Sequence, residues 1–331
     1  NLNITSITSF TVTDLVHAYD GDWADSTYWH DNHGFDPAVE GWAYEFYDKN
    51  ERNRSNLTQE IRLSMESIIM GGYFKQLIEQ DEAMGYLYGG AATDATSHYD
   101  FLVAAGYGQY GVNLTPSLKL KANVRFENNS IKYEGTSQGL NDYWEKIKLP
   151  PINFYIDHAM IGYRTSLHYL KDKFTSFYGS VSQGYKSGGV NQQPYLSDTS
   201  RPFDPEFIQN FEVGLNRVTN FYRTQLSAFY SLRKDQQVSL SSQQVEGDPN
   251  SFLFYTTNAG SGTIQGFEWE NTLNVSSSLN MDASLGYLTT WVDKFTYFAA
   301  EGVEAIGGNR EAAMSPEITG SVGFNYENES G

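Results

Sequence analysis

Leu118–Glu127 reads LKLKANVRFE, in which Leu118, Leu120, Ala122, Val124 and Phe126 alternate with Lys119, Lys121, Asn123, Arg125 and Glu127. Successive side chains of a β-strand point to opposite faces. This stretch therefore has one apolar face and one charged face. The same period of two returns in NFEVGLN (Asn210–Asn216), TQLSAFYSLRK (Thr224–Lys234), LNMDASLGYLTTW (Leu279–Trp291) and EITGSVGFNYE (Glu317–Glu327). Roughly a dozen such segments run along the chain, many of ten residues or more. Soluble strands cluster near 5–6 residues, whereas a strand that crosses a bilayer needs about 9–11.

The connections alternate in length. Thr115–Ser117, Lys171–Lys173, Val218–Asn220 and Ser276–Ser278 read as tight turns. Between them lie long polar stretches, roughly Asp14–Ser55, Ile78–Ser97, Asn128–Pro151, Tyr185–Glu206, Ser239–Ser251 and Phe298–Ser315. That parity puts short turns on one rim and long loops on the other, as in outer-membrane barrels. Aromatics gather near segment ends (Tyr107, Tyr110, Phe174, Phe177, Tyr178, Phe221, Tyr222), a placement that suits interfacial girdles. A soluble β-sandwich also alternates, but its strands are shorter and its polar face carries fewer full charges.

Composition narrows the classes further. Of the 331 residues, 40% are hydrophobic, 15% aromatic and 19% charged. The formal net charge of -18 argues against nucleic acid as a partner, because phosphate binding needs clustered Lys and Arg. With no cysteine there is no disulfide framework and no thiolate metal site. No run of about 18 apolar residues marks a transmembrane helix. The opening NLNITSITSF has no Met, basic region or apolar core of a signal peptide, and reads as the middle of a longer chain.

In order and spacing, several segments resemble the TonB-dependent receptors of the Gram-negative outer membrane. SNLTQEIRLS (Ser55–Ser64) is similar to a strand in the first half of that barrel, and YGQYGVNLTPSLKLKANVRFEN (Tyr107–Asn128) to its central hairpin. FYGSVSQGYKSGGVN (Phe177–Asn191) resembles the segment that climbs into a large external loop. FDPEFIQNFEVGLN (Phe203–Asn216), NAGSGTIQGFEWE (Asn258–Glu270) and SPEITGSVGFNYE follow in the family's order. The resemblance implies an all-β transmembrane antiparallel barrel in the cell outer membrane, in contact with lipid and lipopolysaccharide. It implies no enzyme activity and no resident cofactor. It also implies uptake of a scarce ligand, a ferric siderophore being the usual one, driven by the TonB energy-coupling complex through the protein's own plug domain. Cobalamin, haem or oligosaccharide uptake, and a passive porin-like barrel, are the alternatives. No plug, coupling box or terminal aromatic strand is visible. Residues 1–331 are therefore expected to be one barrel domain truncated at both ends, about twelve strands of the family's 22-stranded, plugged barrel.

Candidate site residues follow from this frame. SQGYKSGG (Ser182–Gly189) has glycines around Lys-Ser, but Tyr185 separates Gly184 from Lys186 and no helical period follows, so it fails as a phosphate loop. It reads instead as a strand end, with Tyr185, Lys186, Asn191 and Tyr195 as loop-side ligand contacts. Ser231-Leu232-Arg233-Lys234 matches a Ser-x-x-Lys signature, but on a strand i and i+3 face opposite ways. The stretch His17–Pro37 carries five aspartates, three histidines and several aromatics. It is either a solvated acidic loop or part of a ligand-capture surface, with Trp23, Tyr28, Trp29, His30 and His33 as stacking or hydrogen-bonding groups. Calcium is a further reading, although Asp20-Gly21-Asp22 does not fit the EF-hand spacing. No metal-ligand cluster of recognisable spacing is present. Lys119, Lys121, Arg125, Arg164 and Glu212 lie on the charged face and are expected to face the lumen and the plug.

Overall fold

A computed structural model describes residues 2–20, 24–40, 46–87, 94–140, 146–192, 196–243, 252–300 and 303–327. Twelve long strands build one sheet. They are β1 (Asn3–Asp20), β2 (Phe46–Ser64), β3 (Ile68–Leu87), β4 (Ala95–Thr115), β5 (Leu118–Leu140) and β6 (Ile152–Leu170) in the first half. The second half holds β7 (Thr175–Lys186), β8 (Glu206–Val218), β9 (Tyr222–Lys234), β10 (Ser261–Asn274), β11 (Leu279–Val292) and β12 (Ile318–Tyr326). Neighbours in sequence are neighbours in the sheet and every pairing is antiparallel. A three-residue strand, Lys146–Lys148, extends the edge of β5.

The connections alternate as expected. Residues 65–67, 116–117, 171–174, 219–221 and 275–278 form tight turns on one rim. In the turn at 171–174, Asp172 Oδ1 accepts the amides of Phe174 (2.8 Å) and Thr175 (2.9 Å), which holds its carboxyl below the usual aspartate range. On the other rim the loops are shorter than the sequence suggests, because the strands run on into them. The β1–β2 ladder is unbroken from Asn3–Ser64 to Asp20–Tyr47, inside the stretch Asp14–Ser55 that reads as loop. Likewise β3 reaches Leu87, and β5 passes Asn128 to end at Leu140. Side chains that are polar on both faces hide a strand from a hydrophobic pattern, yet the backbone ladder needs no apolar face in water. The regions 235–260 and 293–317 contain their own hairpins, Gln237–Gln243 with Phe252–Asn258 and Phe295–Ala300 with Val303–Gly307.

Residues directly opposite in the ladder share a face, so the register shows what each face carries. One face presents Phe10, Phe74, Val124, Phe126, Leu167, Val181, Val213, Leu226, Phe267, Leu285 and Val322, each more than a third exposed. An apolar band this broad has no place in water and is the lipid-facing belt of a barrel. Phe177, stacked at 6.4 Å on Tyr169, joins its border with Tyr110 and Phe221. Tyr107 and Tyr178 do not belong to that girdle. Both turn inward, where glutamates accept their hydroxyls.

Along β4, β5 and β6 the apolar phase changes face. Near the tight turns of β5 the even positions Leu120, Val124 and Phe126 face lipid. Further up, the odd positions Ile131 and Tyr133 are buried on the inner face, while Lys132 and Glu134 stand outside and pair with each other at 2.9 Å. In β4 Tyr99 and Phe101 share the inner face with Ile131 and Tyr133, and in β6 so do Ile152, Phe154 and Ile156. A strand leaving the bilayer loses its reason to show apolar side chains outward, so the switch between Phe126 and Ile131 marks the outer membrane boundary. Replacing Val213 (61% exposed in the belt) with Arg is expected to destabilise the barrel by about 2–4 kcal/mol. Ser182→Arg, on the inner face of β7, should cost far less. Urea-dependent refolding into vesicles, read by heat-modifiable gel mobility, checks the pair.

Candidate functional site: the inner wall and its roofed vestibule

At membrane level the inner wall is built from Arg–Glu–Tyr groups. Arg62 Nη2 donates to Glu60 at 2.8 Å and its Nε to Tyr107 Oη at 3.2 Å, while the Tyr107 hydroxyl donates to Glu60. The Tyr107 ring lies across Gly71, where a Cβ would sit 2.5 Å from its hydroxyl, so only glycine permits this geometry. Arg125 donates to Glu127 at 2.8 Å and lies over the Tyr73 ring at 5.3 Å. Tyr178 donates to Glu212 at 2.6 Å, and Asn210 links Glu212 to Ser231. Ser231 is spent in that chain and Lys234 is exposed at the strand end, so the Ser-x-x-Lys match is not an acylation site.

Lys119, Lys121 and Arg164 lie on this same inner face, opposite His168, Ser166 and Asn123. Among the described residues none of the three has a carboxylate within ion-pair distance. Of the five sequence-predicted wall residues, Arg125 is thus neutralised by Glu127, Glu212 is held by the neutral donors Tyr178 and Asn210, and three cations have no carboxylate at ion-pair distance among the described residues.

Above the membrane the wall changes character. Arg52 grips Asp81 through two bonds of 2.7 and 2.6 Å, and Arg54 Nε donates to Glu79 at 2.5 Å. Bidentate pairs of this kind are among the stronger polar contacts. Beside them Ile131, Tyr133, Ile152 and Val190 form a buried cluster, packed by Tyr99, Phe101, Phe154 and Ile156. Val190 comes from the segment 187–192 that follows β7 and folds inward over the cluster. Gly188 and Gly189 are buried there, and a Cβ on Gly188 would meet the His158 ring at 2.4 Å.

Two loops are clasped into one roof. Asn191 Nδ2 donates to Thr256 O at 2.7 Å and to Arg201 O at 3.1 Å, and its Oδ1 accepts the Thr256 amide at 2.8 Å. Gln237 donates to Ser187 O and Asp204 O, and Asn258 Nδ2 also reaches Asp204 O. Glu206 accepts from Arg233 and from the Gln237 amide.

The sequence-predicted ligand residues are not gathered in one place. Tyr28, Trp29, His30 and His33 occupy α1 (Ser26–His33), a helix within the first long connection. Asp25 caps it by accepting the Tyr28 amide at 2.8 Å, and Gly34 ends it at φ 64°, a backbone that only glycine adopts freely. Trp29 and Tyr28 pack on His33 at 5.0 and 5.7 Å. His30 lies against Asp31, whose hydrogen bond and charge raise its pKa above the ordinary imidazole value. Tyr185 crosses Gly162 onto the inner wall, where its hydroxyl meets Arg125 at 3.2 Å and Glu127 at 3.1 Å. Lys186 ends β7 opposite Glu206, so the glycine-rich stretch is indeed a strand end and not a phosphate loop. Asn191 is the clasp just described. Trp23 and Tyr195 lie outside the described residues. Sequence reading missed Tyr99, Phe101, Tyr133 and Phe154, although the change of apolar parity in each strand was there to find them.

An antiparallel meander with an apolar lipid-facing belt, tight turns on one rim and clasped loops on the other has the architecture of an outer-membrane β-barrel wall. A family model described as TonB dependent receptor-like, beta-barrel, matches residues 2–331, and the chain belongs to that family. It is similar to the pesticin receptor of Yersinia pestis, 29% identical over 136 residues, which cover 40% of this chain and 19% of that protein. Its fold is like that of the ferric yersiniabactin uptake receptor FyuA from Yersinia pestis (TM-score 0.66, 16% identity, 85% of this chain and 41% of that one). It is also like that of the siderophore receptor PiuA from Acinetobacter baumannii (TM-score 0.59, 14% identity, 98% and 50%). The chain thus spans about a fifth to a half of the length of these relatives.

The clasp gives a direct test of the roof. Asn191→Ala removes the bonds between the 187–205 and 252–258 segments and should speed exchange of the Thr256 amide by at least tenfold, with the barrel's heat-modifiable mobility unchanged.

Proposed function

We propose that this chain forms the barrel wall of an active-transport receptor that captures a ferric siderophore and imports it with TonB-coupled energy. The observation that carries the reading is the roofed, aromatic-lined vestibule standing directly above a charged lumen. A capture chamber opening into a hydrated passage suits uptake of a bound ligand. A passive pore needs the passage and gains nothing from the chamber. The siderophore and ferric-chelate receptors that share this fold support the same ligand class.

The individual roles follow. Lys119, Lys121 and Arg164 face a plug domain that fills the lumen and supplies their carboxylates. The outer edges of β1 and β12 are unpaired among the described residues, and hydrocarbon does not tolerate an open edge. Further strands of the same barrel therefore complete the sheet. In the loops, Trp23, Tyr28, Trp29, His30, His33, Lys186 and Tyr195 contribute to first capture. Tyr185 couples the vestibule to the lumen through Arg125 and Glu127.

Uptake of radiolabelled iron across a panel of ferric chelates, comparing the parent and a deletion strain, tests the reading. Saturable uptake of at least one chelate is expected, lost when the proton gradient is collapsed. Trp29→Ala or Tyr185→Phe should lower its apparent affinity severalfold with the barrel still folded. Uptake that is unsaturable and indifferent to the gradient would mean a passive barrel.

A further inference from the structure

The neck of the roof rests on a histidine that no role above uses. His158 lies on the inner face of β6, opposite Asn129 of β5, and its side chain is 10% exposed. Two segments of chain meet beside it. Gly189 and Val190, just past β7, pair with Phe203 and Pro202, which lead back toward β8. Gly188 fits between ring and returning chain. A Cβ there would stand 2.4 Å from His158 Cε1 and 2.3 Å from the Phe203 carbonyl oxygen. On the outer face at this level Ser130 donates to Asp157, so the neck stands above the hydrocarbon.

The ring is enclosed but not satisfied. Among the described residues Nδ1 is buried without a hydrogen-bond partner, and Nε2 faces Asp204 at 4.0 Å, beyond bonding distance. The other charges nearby are spent or turned away. Asp157 points outward to Ser130. Glu127, next on the inner face of β5, is tied to Arg125 and Tyr185. Lys186 is exposed at the end of β7, and Glu206 of β8 is held by Arg233 and the Gln237 amide. Burial pushes the imidazole below its ordinary value, and Asp204 and Asp157 pull the other way.

An imidazolium is a donor at both nitrogens. The closed neck offers Nδ1 no acceptor, and an unmet charged donor costs more than an unmet neutral one. Asp204 compensates little, because its carboxylate is 83% exposed and water screens its charge. We propose that His158 is a proton-sensitive latch on the vestibule roof. Neutral, it lets Gly188 and Phe203 close beside it. Protonated, it draws water to Nδ1 and lifts Ser187–Asn191 off the wall. That movement frees Val190 from the buried cluster and Asn191 from Thr256, so one proton at the neck undoes the clasp between the two loops. In the open neck the ring meets water and titrates near the free value of about 6.5. The closed neck therefore has its full stability above that pH and loses it as the pH falls. The latch acts whatever ligand the receptor takes.

Hydrogen exchange of the full-length receptor in detergent tests it, read at about pH 7.5 and about pH 5 and corrected for the intrinsic pH dependence of amide exchange. The probes are the Asn191 amide, bonded to Arg201 O at 2.8 Å, and the Thr256 amide. Both should lose protection severalfold at the lower pH, with heat-modifiable mobility unchanged. His158→Gln, which takes up no proton, should be equally protected at both. Asp204→Asn removes the opposing charge and should deepen the loss; it decides the matter alone if His158→Gln does not fold. Protection that rises in acid, or an acid loss that Asp204→Asn abolishes, would mean that the His158–Asp204 pair governs the neck. A loss that persists in His158→Gln would put the proton elsewhere. Any of these results overturns the latch.

Discussion

Every feature of this protein depends on one constraint, that a backbone amide or carbonyl in hydrocarbon must be hydrogen-bonded within the protein. An antiparallel ladder meets it strand by strand, and the ladder here runs through twelve strands without a crossover. Once the ladder is fixed, the period of two assigns every side chain to lipid or to the interior. Val213 and Phe126 then have nowhere to go but outward, and Arg62, Arg125 and Glu212 nowhere but inward.

The charged interior is stable because most of its groups neutralise one another locally. The Arg–Glu–Tyr groups around Glu60 and Glu127 and the Arg52–Asp81 and Arg54–Glu79 pairs leave little free charge on that part of the wall. Against this background the cations Lys119, Lys121 and Arg164 stand out, since none has a carboxylate at ion-pair distance among the described residues.

Much of this was legible in the sequence. LKLKANVRFE fixes both faces of β5, and the alternation of short and long connections separates the two rims. The inward direction of all five predicted wall charges follows from parity alone. The extent of the strands beyond the membrane was not legible, because residues such as Asn50–Arg54 and Glu79–Glu82 are polar on both faces and carry no hydrophobic period. The helix at Ser26–His33 was overlooked although Asp25 and Gly34 bracket it with ordinary cap residues. Its aromatics read as ligand contacts, but their packing on His33 across one helical turn was not visible without the helix. Asn191 could not be recognised as a clasp, since its partner Thr256 lies 65 residues away. Tyr107 and Tyr178 looked like girdle residues by position. Only the close approach allowed by Gly71 and Gly214 shows why they turn inward.

The apolar parity switch between Phe126 and Ile131 ties fold, membrane boundary and vestibule together, and it is open to direct measurement. The chain has no cysteine, so single cysteines can be placed along β5 from Leu120 to Glu134 without background. Spin labels at these positions, probed by oxygen in the lipid and by a water-soluble nickel chelate, report which phase each side chain meets. Labels at Val124 and Phe126 should respond to oxygen, those at Lys132 and Glu134 to the chelate, and those at Ile131 and Tyr133 to neither. Lipid contact at Ile131 or Tyr133 would place the apolar cluster outside the barrel and contradict the inner vestibule.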